Sequence, residues 1–475
     1  MNLDPRSTKT LYEQIYEYIR DEIRKGTLKC GERLPSTRLL ASHLDVSRST
    51  AQLAYEQLLS EGYIEAIPCK GYFVCQMEAL YRLDTAPVKP ERIVEPEPNT
   101  YRYDFTPNGI DLKHFPFAAW RKLNREVLQQ DESDLFLLGE ASGEWELREV
   151  ISSYLHQARG VHVQPEQVIV GAGNDYLLML LSRILGMDHK IAMESPTYRH
   201  AWDVFQKLGY DCRTVSMDKF GMNVEKLKES GADIAYVMPS HQYPLGIVMP
   251  IKRRQELLRW AEEKPGRYLI EDDYDSEFRY IGKPIPSLQG NDRSGCVIYL
   301  GTFSKSIAPA IRISYLVLPE SLLETYRRID NVFSSTVSRL DQRVLQLFME
   351  KGYYERHLNK MRALYKSKHD VLMSEIRKMR GVRQVLGDHS GVHILLQMDG
   401  HLTEQELIRR ARQAGIKVYP LSEYCVRQAG IKVYPLSEYC VNEADYPPTV
   451  ILGYATLSEE EIREGVRLLA QAWLA

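Results

Sequence analysis

Lys305 stands in Gly301-Thr302-Phe303-Ser304-Lys305-Ser306, immediately after an apolar run that ends at Leu300, and Arg312 follows seven residues later. A lysine among hydroxyls is by itself most often a solvated surface charge. Its context changes that reading. A second apolar run, Ile270-Glu271-Asp272-Asp273-Tyr274, ends in carboxylates, and a carboxylate at the end of an adjacent strand is what a pyridine nitrogen needs to stay protonated. A different chemistry is suggested near the N-terminus. There Arg38 and Arg48 fall at the starts of helical patterns and Lys70 in a turn, and a guanidinium at such a place can bond a guanine edge or a phosphate.

Both sets need elements to hold them. Residues 105–475 alternate helical periodicities with short apolar runs, among them Val168-Ile169-Val170, Ile191-Ala192-Met193, Ile234-Ala235-Tyr236-Val237, Val297-Ile298-Tyr299-Leu300 and Ser314-Tyr315-Leu316-Val317. That alternation predicts a largely parallel sheet with helices on both faces. Ligands of such sheets lie beyond the carboxyl ends of the strands, where Lys305 and Asp272 fall. In the first 76 residues, Leu11, Ile15, Tyr16, Ile19 and Ile23 share one face of a helix from Leu11 to Lys25, which Gly26 ends. Ser36 is placed to cap a second helix carrying Leu39, Leu40 and Leu44. After the turn Asp45-Val46, Ser47 caps a third that runs through Leu59, with Ala51, Ala54, Tyr55 and Leu58 apolar. Two short helices across so tight a turn make a helix-turn-helix. Residues 63–67 and 72–74, joined by Pro68-Cys69-Lys70-Gly71, predict a hairpin wing.

Composition bounds what these parts can do. A chain of 475 residues should form two or three domains, and 44% hydrophobic with 26% charged residues excludes a disordered or collagen-like chain. The formal charge is only −3, and residues 1–80 hold 10 Lys+Arg against 11 Asp+Glu, so any nucleic-acid contact must be local. The start is polar and no run approaches the ~20 apolar residues of a membrane span, which predicts a cytoplasmic protein without a membrane partner. Seven cysteines without paired metal-ligand spacing read as reduced thiols, with no metal site expected, and Cys69 and Cys75 read as incidental. From Met77 to Asp104, Pro87, Pro90, Pro96 and Pro98 among charges predict a semi-rigid linker between residues 1–76 and 105–475.

Leu34-Pro35-Ser36-Thr37-Arg38, Ser47-Arg48-Ser49-Thr50, Gly62-Tyr63 and Gly71-Tyr72-Phe73-Val74 resemble the winged-helix domain of the GntR regulators. The resemblance implies that Arg48 enters the major groove, that Arg38, Ser36, Ser47 and Thr50 stand at the DNA-facing helix starts, and that Lys70 reaches the backbone or minor groove from the wing. Residues 105–475 are similar to the fold-type I aminotransferases, which bind pyridoxal 5'-phosphate. Besides the lysine and carboxylate stretches, the matching residues include Gly139-Glu140-Ala141-Ser142-Gly143, Glu194-Ser195-Pro196-Thr197-Tyr198, Pro239-Ser240-His241-Gln242-Tyr243-Pro244-Leu245-Gly246 and Leu452-Gly453-Tyr454. That resemblance implies a Schiff base at Lys305 and a pyridine-nitrogen partner at Asp272, with Asp273 the alternative. It also implies a ring-hydroxyl contact at Tyr274, a stacked Tyr198 and phosphate ligands at Arg312 and Thr302, with the helix-start amides of Asn174 and Asp175 adding to the anion site.

Two departures bear on activity. Tyr243 stands before Pro244 where aminotransferases commonly have Asn, and residues 441–461 contain no Arg to grip a substrate carboxylate. A third feature needs no family: residues 412–426, RQAGIKVYPLSEYCV, recur identically as 427–441. One copy is expected to fill the native place and the other to loop out or compete for it. The fold class expected is a small winged helix-turn-helix domain, helical with a β wing, joined to an α/β transferase-like domain of fold type I. That combination resembles the MocR/GabR regulators. It implies a transcription factor that binds operator DNA, works as a head-to-tail homodimer and senses an amine, an amino acid or pyridoxal phosphate itself. The opposing expectation is a working aminotransferase with an appended head.

Overall fold

Isoleucines spaced four apart build the first helix. In the computed structural model, which describes residues 3–4, 7, 9–76, 101–129, 133–280, 285–329, 334–424 and 447–474, α1 (Leu11–Lys25) buries Ile15, Ile19 and Ile23 and ends at Gly26 with φ 78°. Helices α2 (Thr37–Leu44) and α3 (Arg48–Ser60) follow, then the antiparallel strands β1 (Ile64–Ile67) and β2 (Gly71–Val74). Leu40 is buried while Leu39 is 62% exposed. Neighbours on a helix are about 100° apart, so the two leucines face different ways. The segment after α1 adds a third edge to the wing, since Leu34 N donates to Tyr72 O at 2.9 Å and Val74 N to Glu32 O at 3.0 Å.

The chain divides into two compact units, Met1–Pro98 and Asn99–Ala475. Of the linker, residues 77–100 lie outside the described part. The second unit opens with β3 (Tyr103–Asp104), α4 (Phe117–Gln129) and α5 (Trp145–Arg159). There follow β4 (Val168–Gly171), α6 (Asn174–Leu185), β5 (Lys190–Ser195), α7 (Arg199–Lys207), β6 (Asp211–Asp218), β7 (Gly221–Met222) and α8 (Val224–Glu229). Next are β8 (Ile234–Val237), α9 (Ile251–Glu262), β9 (Tyr268–Asp273), β10 (Val297–Thr302) and β11 (Ser314–Val317). The spatial order is β4-β11-β10-β9-β8-β5-β6-β7. From β10 through β9, β8 and β5 to β6 every pairing is parallel, whereas β11 runs against both its neighbours and β7 against β6. Strands β4, β8 and β11 are buried along their whole length, as a sheet covered on both faces requires.

Helices α10 (Glu320–Ile329), α11 (Arg339–Glu350) and α12 (Tyr353–Ile376) lead to a smaller sheet. It contains β12 (Val382–Leu386), β13 (His393–Met398), β15 (Tyr419–Pro420) and β16 (Thr449–Gly453), with α13 (Glu404–Gln413) and α14 (Glu459–Leu474) beside it. Strand β14 (Ile416–Lys417) pairs instead with β3. Residues 412–424 of the first repeat copy thus supply the end of α13, β14, β15 and a 3-10 turn at Leu421–Tyr424. The second copy, 427–441, lies outside the described residues. Among the described residues no helix is long and apolar enough to cross a membrane, and no His/Cys/Asp/Glu group could hold a metal ion.

Candidate functional site

The parallel strands end on one cavity of about 660 Å³. It is lined by all eight residues singled out in the second unit: Lys305, Asp272, Tyr274, Tyr198, Arg312, Thr302, Asn174 and Asp175. Strand β10 delivers Thr302 and, three residues on, Lys305. Lys305 Nζ donates to Asn108 O at 2.9 Å. Burial drops its pKa to about 8, against the opposing charge of Asp275, so roughly a tenth of the amine is neutral and nucleophilic at pH 7 and more as pH rises.

Strand β9 separates its two acids. Asp272 lies on the cavity side, where Tyr236 donates its hydroxyl proton to Oδ2 while Oδ1 is buried without a partner. Burial pushes this carboxyl up to about 7, the Tyr236 bond opposing and Asp273 and Asp275 adding. Asp273 points away. Its Oδ2 accepts from Arg159 Nε at 2.7 Å and from the Tyr299 hydroxyl, and both members of the ion pair are buried. The Tyr274 hydroxyl lies 3.0 Å from His241 Nδ1, which also faces Asp275 Oδ2 at 2.8 Å. Tyr198 meets Tyr243 edge-on with centroids 5.9 Å apart.

The opposite end of the cavity is an anion cup. Helix α6 begins at Asn174, and Arg312 reaches its first turn by donating to Asp175 Oδ2 at 3.0 Å and Ala172 O at 3.3 Å. Gly173 has φ 91°, and a Cβ there would stand 2.2 Å from the Arg312 guanidinium, so only glycine lets the two approach. Thr302 Oγ1 lies 2.8 Å from Ser314 Oγ and accepts from Ser304 N at 3.1 Å. Helix-start amides, a guanidinium and hydroxyls together suit a phosphate. An unpartnered buried acceptor at Asp272 suits a protonated ring nitrogen, and an amine near neutrality suits an aldehyde. The residues therefore fit pyridoxal 5'-phosphate.

Asn108, Glu423 and Tyr424 also line the cavity, and sequence reading did not find them. Asn108 follows β3 in a short turn, with no chemical spacing to mark it. Glu423 and Tyr424 belong to the repeat, and Tyr424 O accepts from Thr197 N at 3.0 Å.

In the first unit, Ser36 caps α2 by accepting from Leu39 N at 3.2 Å, and Ser47 caps α3 by accepting from Thr50 N at 3.1 Å. Ser47 Oγ lies 2.7 Å from both Ser49 Oγ and Thr50 Oγ1, which turns the Thr50 hydroxyl into the cap. Arg38, Arg48 and Lys70 are exposed at the two helix starts and the wing turn, with no ion pair among the described residues. Arg33 lies beside the wing turn, its guanidinium within 3.4 Å of where a Cβ on Gly71 would stand.

Fold and cavity define a pyridoxal-phosphate-dependent, aminotransferase-like body that follows a winged helix-turn-helix head in the chain. Residues 106–469 match the family of class I and II aminotransferases, and residues 11–74 match the gntR family of bacterial regulatory proteins. An uncharacterized HTH-type transcriptional regulator of Bacillus subtilis, YdeL, is 39% identical over 480 residues, spanning 100% of both chains. The probable rhizopine catabolism regulatory protein MocR of Rhizobium meliloti is 32% identical, over 100% of this chain and 96% of its own. Among solved structures, a multiple substrate aminotransferase from Thermococcus profundus superposes with a TM-score of 0.67 at 25% identity, over 79% of this chain and 92% of that one. The chain belongs to the MocR/GabR group of GntR-type transcriptional regulators. DNA is the partner of its head and pyridoxal 5'-phosphate the cofactor of its body.

Proposed function

We propose that this regulator works in the cytoplasm as a head-to-tail homodimer whose operator affinity is set by what occupies the cavity. The observation that carries this reading is the unpartnered, buried Oδ1 of Asp272, a residue that lines the same cavity as Lys305, in a chain that also carries a DNA-binding head. Pyridoxal phosphate supplies an aldehyde that condenses reversibly with primary amines. In this assignment Lys305 holds the cofactor through its amine and Asp272 keeps the ring nitrogen protonated. Tyr274 bonds the ring hydroxyl and Tyr198 covers a ring face. Arg312, Thr302 and the amides of Asn174 and Asp175 grip the phosphate. Arg48 reads a base edge, Arg38 and the amides at Ser36, Ser47 and Thr50 position the head on phosphates, and Lys70 anchors the wing. The effector is an amine or amino acid that competes for the cofactor, or the cofactor itself. Either shifts the head only by binding its arrangements unequally.

The test is operator titration of the full chain in three states: without cofactor, with cofactor, and with cofactor plus single amines and amino acids. A cofactor-only response identifies pyridoxal phosphate as the signal, whereas a further shift with one amine identifies that amine. No change in any state refutes the proposal. Sustained conversion of a keto acid over many cycles would instead favour a working aminotransferase, the reading that Tyr243 and the arginine-free stretch 441–461 argue against.

A further inference from the structure

Two thiols far apart in sequence come together in the head. Cys30 follows α1 and is exposed; Cys75 follows β2 and is partly buried; both are free. Backbone bonds fix their surroundings. Gly31 N donates to Val74 O at 2.8 Å, Val74 N to Glu32 O at 3.0 Å, and Cys75 N to Tyr63 O at 3.0 Å. The residue before Gly31 and the residue after Val74 are therefore next to each other across an antiparallel pairing that the bridge Arg33↔Phe73 begins. Cys30 lies in a turn closed by Glu32 N donating to Lys29 O at 2.9 Å, with Gly31 at φ 78°. The Gly31–Val74 bond holds this turn against the chain at Cys75, a juxtaposition of the order a disulfide needs, Cα atoms ~4.4–6.8 Å apart. Cys69, the nearer cysteine in sequence, sits in the turn at the other end of β2.

We propose that Cys30 and Cys75 are an oxidative modification site, closing to a reversible disulfide in the presence of hydrogen peroxide. Cys30, the exposed partner, meets the oxidant first. Burial and the charges of Glu65 and Cys30 push the Cys75 thiol up, which makes it the resolving group. The Cys30 thiolate attacks one peroxide oxygen, the O–O bond breaks, hydroxide leaves, and Cys30 becomes a sulfenic acid. The Cys75 sulfur then displaces hydroxide from that sulfur, its proton leaves with the hydroxide as water, and the S–S bond forms. Two thiols lose two hydrogens and two electrons, and one peroxide becomes two waters. The closed loop contains α2, α3, β1 and β2, hence Arg38, Arg48 and Lys70, so one bond constrains the whole DNA-reading unit.

Full-length protein would be treated with peroxide, alkylated and mapped by peptide mass spectrometry, alongside Cys30→Ser, Cys75→Ser and Cys69→Ser. The expected result is one linked Cys30–Cys75 peptide, two hydrogens lighter, lost in the first two variants, retained in Cys69→Ser and reopened by dithiothreitol. Hydrogen exchange in α3 and β2 should slow on oxidation of the wild type and not of Cys30→Ser. A Cys69–Cys75 link, a link between chains, or no link overturns the assignment of the site. A Cys30–Cys75 link that leaves exchange unchanged overturns its constraint on the head.

Discussion

Asp272 and Asp273 show what a single position decides. Successive residues of a strand point to opposite faces, so one of the two acids had to face the cavity and the other the far side, and nothing in Glu271-Asp272-Asp273 says which. The answer comes from Tyr236 on β8 and from Arg159 on α5, remote in sequence and adjacent only in the fold. Lys305→Ala should abolish the absorption band of bound cofactor, and Asp272→Ala should weaken or shift it. Asp273→Ala should act otherwise. It strands the buried Arg159 charge, so it should cost about 3–5 kcal/mol of stability, measured by denaturant unfolding, while any folded fraction keeps the wild-type band. The amine's pKa gives a pH dependence. With Lys305 lowered to about 8, the reactive neutral form grows as pH rises through that value, so cofactor uptake should speed up from pH 6 to 8 and level off above about 9. Uptake rates measured by rapid mixing across that range would settle it. A flat profile would separate the Lys305 amine from the rate.

At the scale of elements, most of the head was readable because each of its helices has its own local start signal. Ser36 and Ser47 cap α2 and α3 whatever the rest of the chain does. Ser47→Ala should therefore cost about 0.5–2 kcal/mol, seen as a lower unfolding temperature of the head. The third wing edge was not readable, because Gly31 to Leu34 is irregular and becomes strand-like only by borrowing β2. Nor could the sequence show that β14 leaves its neighbours to pair with β3, or that Asn108 meets Lys305. Such crossings of distant segments have no local periodicity. The repeat belongs at this scale too. Because residues 412–424 already complete the described small subdomain, deleting 427–441 should leave solubility and cofactor binding intact or improved. Insoluble protein on deletion would assign the second copy a structural place of its own.

For the molecule as a whole, the near-neutral charge of −3 makes affinity depend on geometry. Arg38, Arg48 and Lys70 offer few phosphate contacts per head, so tight binding should require two heads on two half-sites. If the heads share a DNA face, those sites should be spaced by ~34–36 Å or a multiple. Affinity should fall with salt as counterions are released. Arg48→Ala should cost ~1–3 kcal/mol and relax discrimination at one base position, whereas Lys70→Ala should weaken all sequences alike and lower the salt slope by about one unit. Operator titrations at several salt concentrations measure both, and an affinity indifferent to Arg38→Ala and Arg48→Ala would remove the winged helix from the reading surface.

The tandem copies also have a genetic meaning. Fifteen identical residues in succession are a long direct repeat in the coding DNA, and recombination between its halves deletes one in frame. The first copy alone supplies β14, β15 and the cavity residues Glu423 and Tyr424, so the shortened gene would still encode every contact described here. Selection on the protein would then have little to act against, and lineages carrying the repeat should give rise to descendants without it at a rate set by replication slippage. Resequencing the locus after serial passage would count them.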